Sequence, residues 1–233
     1  MVSSCIDKNS ILINRGEVLR YLGYKNQVID DNLIDLVDEC IKLTLTTINP
    51  RYIYKKHTLD FNNDKLRIEG SRCVLEGRDI EALLKDSREC ILSVATLGVE
   101  IEKLIKLFAY KDMTKSLILD ACATTAIEEV FDLIEINIKS ELKDSKENIT
   151  YRYSPGYGDL PIEANELILN ILDAQKNIGL TITNHNLLIP RKSVVAIMGV
   201  IDNNKSHSAK VCNMENKCLN CPNYNNCSYR KEV

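Results

Sequence analysis

One stretch constrains this chain more than any other: a helical pattern from about Met113 to Leu142 whose apolar residues do not keep to a single stripe. Leu117, Ile118, Ala121, Ala126, Ile127, Val130, Phe131 and Ile134 cover much of its circumference. A helix that is apolar nearly all round needs cover on most sides, which predicts a central buried helix. Its tail, Lys139 to Glu147, mixes both charge signs and reads as a solvated helix end.

The rest of the chain supplies the covering layers. Leu33, Ile34, Val37, Cys40, Ile41 and Leu45 recur at helical spacing between Asp30 and Thr47, with Asp30 or Asp31 available as the N-cap. Tyr52 to Phe61 and Lys65 to Glu69 alternate as short strands around Asn62-Asn63-Asp64, a composition suited to a hairpin turn. A short helical pattern at Asp79 to Lys85 precedes Cys90 to Leu97, a buried strand ending at Gly98, and an amphipathic helix follows to about Ala109. Pro161 opens a helix from about Ile162 to Gln175 that stops near Gly179. Late strands are expected at Leu180 to Thr183 and Ser193 to Val200. Strands and helices intermix without regular βαβ alternation. The expected class is therefore α+β, a mostly antiparallel twisted sheet with a long central helix and flanking helices. Apolar content collapses near Asn203, so residues 1–203 are expected as one domain and 204–233 as a cysteine-rich tail.

Composition excludes several function classes. Lys+Arg 30 against Asp+Glu 33 gives a formal charge of −3 with 45% hydrophobic residues, so no basic footprint for nucleic acid is visible. No run reaches the ~18 apolar residues of a membrane span. No basic segment followed by an apolar one opens the chain, and a cytoplasmic location is expected. Of nine cysteines, Cys5, Cys40, Cys73, Cys90 and Cys122 are scattered, mostly in apolar segments where a thiol acts as a small hydrophobe. The other four crowd the end as Cys212-x5-Cys218-x2-Cys221-x5-Cys227. In a reducing compartment such spacing fits a tetrahedral metal site, either zinc or an iron–sulfur cluster.

The segment Arg152-Tyr153-Ser154-Pro155-Gly156-Tyr157-Gly158-Asp159-Leu160-Pro161 is the most unusual in the main domain. Its glycines and prolines place it between a strand and a helix start, where backbone N–H groups are free and a ligand can come close. Arg152 offers a rigid fork for a carboxylate or phosphate, and Tyr157 a flat face with a polar tip. Arg-x-x-Pro-Gly-Tyr followed by proline and an acidic helix start resembles the signature loop of the activation domain of cobalamin-dependent methionine synthase. Asp120-Ala-Cys-Ala-Thr-Thr-Ala-Ile-Glu-Glu resembles that family's alanine-rich helix. Gly179-Leu-Thr-Ile-Thr and Leu188-Ile-Pro-Arg-Lys-Ser are similar to its later helix end and strand pair. The chain departs from the family in having Gly158 where a proline is usual after Gly-Tyr, and Ser193-Val194 where paired tyrosines are found.

The resemblance implies an S-adenosylmethionine site built from Glu128, Arg152, Ser154, Pro155, Gly156, Tyr157, Lys192 and Ser193. Arg152 is expected to face the ligand carboxylate, and Glu128 rather than Glu129 its cationic groups. In that family the methyl group goes to a cobalamin that has been oxidised to cob(II)alamin and is reduced by one electron. Positioning is the protein's contribution, so no catalytic acid, base or nucleophile is expected. No Asp-x-His-x-x-Gly corrinoid motif surrounds His57, His185 or His207. The implied role is a free-standing reactivation subunit, a methyltransferase component working with a corrinoid-binding methionine synthase subunit and a reductant such as flavodoxin or ferredoxin. A metal in the tail could relay that electron if it were an iron–sulfur cluster. The competing readings are a reactivator of another corrinoid methyltransferase and a non-enzymatic, metal-stabilised interaction module.

Overall fold

The computed structural model describes residues 2–25, 27–61 and 66–202. In chain order these form β1 (Val2–Cys5), α1 (Arg15–Tyr21), α2 (Asp31–Thr47), β2 (Arg51–Asp60), β3 (Leu66–Ile68), β4 (Val74–Leu75), α3 (Arg78–Leu84), β5 (Glu89–Thr96) and α4 (Glu100–Lys111). The long helix α5 (Met113–Leu142) follows, then β6 (Glu147–Ile149), α6 (Ala164–Ile171), α7 (Ala174–Ile178), β7 (Thr181–Ile182), β8 (Leu188–Ile189) and β9 (Ser193–Asp202). The main sheet is antiparallel throughout, in the order β4-β3-β2-β5-β9-β6, with β1 also on β2. The α+β class with its antiparallel sheet and long helix is therefore what the chain forms.

Strand alternation divides the core in two. Tyr52, Tyr54, Ile91, Ala95, Ala196 and Met198 face one side, where α5 packs with α1, α2 and α4. Ile53, Leu92, Val94, Val195 and Ile197 face the other side, covered by α3, α6 and α7 through Ile80, Leu83, Ile168 and Ile178. Fifteen residues of α5 are buried, which is why its apolar pattern runs around the helix. Fully buried Phe131 alone contributes roughly 1.5–3 kcal/mol. Asp30 caps α2 by accepting from the Asn32 N–H, as its position before the helix implies.

The structure corrects several sequence expectations. The single helix expected from Ile162 to Gln175 is two, broken where Asp173 adopts a left-handed conformation (φ 47°). The Asn177 amide donates to the carbonyls of Leu172 and Asp173, at 2.9 and 3.1 Å, which satisfies groups the break leaves open. Glu147, expected in a solvated tail, begins strand β6, which pairs with β9 at Asp202. Cys40, Cys73, Cys90 and Cys122 are buried, but Cys5 is exposed. Burial pushes the Cys90 and Cys122 thiols up to about 12 and those of Cys40 and Cys73 to about 11, so none is a thiolate near neutrality. The turn at Asn62-Asn63-Asp64, the boundary near Asn203 and the tail lie outside the described residues. Among the described residues no helix is long and apolar enough to cross a membrane.

Candidate functional site

Beyond β6 the chain stays beside β9. The Thr150 N–H donates to the Gly199 carbonyl, and Tyr153 and Ile197 exchange N–H···O bonds of 2.9 and 2.8 Å. Residues 151 to 153 keep the alternation of a strand: Tyr151 and Tyr153 pack into the α3/α6/α7 side, and Arg152 is turned toward α5.

On α5 the residues Glu128, Asp132 and Glu135 are spaced i, i+4, i+7 and so lie along one face. Arg152 joins all three. Its Nη2 donates to Glu128 Oε2 at 2.6 Å, and its Nη1 to Asp132 Oδ1 at 2.7 Å and Glu135 Oε1 at 2.6 Å. The guanidinium carbon lies 5.5 Å from the centre of the Phe131 ring. Burial alone would lower the pKa of Arg152, but the carboxylates of Glu128, Glu135 and Asp132 outweigh it and raise it further, so the side chain stays charged. The cluster grades from interior to surface: Glu135 is 0% exposed, Arg152 15%, Asp132 30% and Glu128 44%. One guanidinium and three carboxylates sum to a formal charge of −2. The three bonds use three of the five N–H donors of Arg152.

The loop that follows is internally bonded. Tyr157 N–H donates to the Ser154 carbonyl (3.1 Å), Leu160 N–H to the Tyr157 carbonyl (3.1 Å) and Gly156 N–H to the Leu160 carbonyl (2.9 Å). Pro155 and Leu160 are buried, Ser154 is half-buried, and Gly156 and Tyr157 stand at the surface, Tyr157 with 59% exposure. The structure brings Arg152 and Glu128 into direct contact at the start of the Pro-Gly-Tyr turn.

Lys192 and Ser193 occupy a different place. Ser193 starts β9, four residues from Ile197, which puts it ~13 Å along the strand from the bridge to Tyr153. It is buried, donating to the Pro190 carbonyl at 2.6 Å, with its Oγ 2.8 Å from the Thr96 hydroxyl. Lys192 also reaches α5, where its Nζ meets Asp120 Oδ1 at 2.9 Å and Thr124 Oγ1 at 2.8 Å. Glu102 of α4 accepts from the backbone N–H groups of Arg191 and Lys192. Asp120, Thr124, Glu128 and Asp132 form one stripe at four-residue spacing, ~18 Å long, with a cation at each end.

Asp132 and Glu135 were not singled out in the sequence. A carboxylate at position 135 on a largely apolar face of the helix, three residues after Asp132 and seven after Glu128, is the signal that would have found them. No group of three or more His, Cys, Asp or Glu arranged to hold a metal occurs among the described residues, and Cys212, Cys218, Cys221 and Cys227 lie outside them.

No family model matches the chain, and no curated protein sequence matches it. Among solved structures the chain is similar to the MetH reactivation domain bound to AdoHcy, with a TM-score of 0.67 over 90% of this chain and 80% of that one, at 14% identity. At that identity the likeness is one of fold, and it places the chain's architecture with that of a methionine synthase reactivation domain.

Proposed function

We propose that this protein binds S-adenosylmethionine against the Arg152 loop and the Glu128 face of α5, and serves the reductive remethylation of cob(II)alamin carried by a corrinoid-binding methionine synthase subunit. The observation that carries this reading is the convergence of Arg152, the Ser154–Tyr157 turn and Glu128 in a fold similar to a domain solved with AdoHcy.

The residues present fit such a ligand. Two N–H donors of Arg152 are left for a carboxylate, although the pairing with three α5 carboxylates makes the arginine a shared partner rather than a dedicated one. Glu128 is exposed enough to meet an ammonium or sulfonium, and the formal −2 of the cluster favours a ligand with two cationic centres. Tyr157 and the Gly156 backbone offer a flat surface at the loop tip, while Lys192 and Ser193 support the far end of the α5 stripe. When bound, S-adenosylmethionine supplies the methyl group. The chain's own residues bind and orient it, and none is required to move a proton. The domain boundary near Asn203 and a zinc or iron–sulfur site on the four tail cysteines belong to the same proposal, as does a reductant such as flavodoxin or ferredoxin.

Calorimetric titration of S-adenosylmethionine into the native protein tests the reading. Saturable binding near one per chain supports it, and absence of binding at millimolar ligand rejects it.

A further inference from the structure

The loop that carries Gly156 and Tyr157 is not held by its own hydrogen bonds alone. Its far end is fastened to the start of α3, about 80 positions earlier in the chain. Asp159 Oδ2 accepts from the Arg78 N–H at 2.7 Å, and Oδ1 from the Asp79 N–H at 3.2 Å. These are N–H groups of the first turn of α3, whose own N-cap, Gly77, has no side chain to satisfy them. The Tyr153 hydroxyl lies 3.2 Å from Asp79 Oδ2 and 3.1 Å from the Tyr157 carbonyl, so it joins the helix start to the loop tip.

Two glycines make the fit possible. A Cβ on Gly77, at φ 138°, would sit 2.6 Å from Asp159 Oδ1, and one on Gly158, at φ 52°, would collide with the Tyr153 hydroxyl and the Asp79 carboxylate. Both backbone conformations also favour glycine. Gly158 is the position where this chain departs from the proline that the resemblance led one to expect, and its closeness to Tyr153 and Asp79 gives that departure a physical reason.

We infer that Asp159, Asp79 and Tyr153 are positioning residues for the ligand loop, with α3 as a remote brace that sets the shape of the Ser154–Tyr157 turn. The inference rests on the S-adenosylmethionine reading for its functional consequence. None of the three residues is required to touch the ligand. They act by lowering the number of conformations the loop samples before binding, which improves affinity by reducing the ordering cost.

The test combines two readouts on the full chain, Asp159→Ala and Asp159→Asn, with thermal unfolding recorded so that affinities are compared well below each transition. In wild type the hydrogen-bonded amides of Gly156, Tyr157 and Leu160 are expected to exchange slowly with solvent deuterium. Asp159→Ala should speed their exchange at least fivefold and weaken S-adenosylmethionine binding about five- to tenfold, the scale set by loss of one capping carboxylate. Asp159→Asn, which keeps an acceptor oxygen, should recover part of both effects. Tyr153→Phe and Asp79→Asn, singly and together, should be non-additive in affinity. Unchanged affinity and unchanged loop exchange in Asp159→Ala would overturn the brace, even if the melting temperature fell. If wild type failed to bind while loop exchange responded as described, the ligand reading would fall and the brace would stand as a loop-ordering device.

Discussion

Lys192 and Arg152 both reach helix α5, and they are held differently. Lys192 meets one carboxylate, Asp120, together with the Thr124 hydroxyl and the Asp120 carbonyl, so its charge is balanced one to one near the surface. Arg152 meets three carboxylates, one of them fully buried. The lysine is a point charge that ties the start of β9 to the helix. The arginine is a planar fork whose geometry gathers Glu128, Asp132 and Glu135 along a helix face. The comparison teaches where the α5 carboxylates gather: three on Arg152 beside the Pro-Gly-Tyr turn and one on Lys192, so the proposed ligand's cationic groups are expected at the Arg152 end.

That contrast can be broken at several points. The largest effect is expected from Arg152→Met, which removes the guanidinium that meets buried Glu135 at 2.6 Å and should cost about 3–5 kcal/mol in denaturant unfolding. Adding Glu135→Gln in that background should restore part of the loss, because the buried charge is then gone. Glu128→Gln should leave stability within about 1 kcal/mol, since the residue is half exposed, but weaken S-adenosylmethionine binding by about 1.5–2 kcal/mol in calorimetry. It should weaken AdoHcy less, because the thioether carries no charge. Ser193→Ala removes two buried hydrogen bonds at the balanced end and should cost about 1–2 kcal/mol of stability, measured by thermal unfolding. Lys192→Ala should cost least, about 0–1 kcal/mol, because Asp120 is largely exposed and returns to water. A Lys192 effect equal to that of Arg152 would erase the distinction between the two ends.

Much of the fold was legible because it rests on local signals. The circumferential apolar pattern of Met113 to Leu142 dictates a buried helix, and the aspartates at 30 and 31 before a run of helical periodicity marked the start of α2 to within one residue. The Arg152 loop was legible from its glycines and prolines, and helix geometry required that only one of Glu128 and Glu129 face a given side. What escaped notice depends on partners far away in the chain. Strand β6 is three residues long and exists through its pairing with β9 some 50 positions later. The break at Asp173 interrupts a run whose composition stays helical on both sides. Asp159 looks like an ordinary acidic residue in a turn, and only the three-dimensional structure brings it to the uncapped start of α3. Lys192 and Ser193 were placed with the loop on resemblance, whereas the register of β9 sets them at the opposite end of the α5 stripe.

The central claim is that S-adenosylmethionine occupies the face shared by the Arg152 loop and Glu128. Hydrogen–deuterium exchange of the native protein with and without saturating S-adenosylmethionine tests it most directly. Protection is expected in the peptides covering residues 124–132 and 152–161, and to be reduced in Glu128→Gln at the same ligand concentration. Protection confined to other segments, or none at all at millimolar ligand, would contradict it.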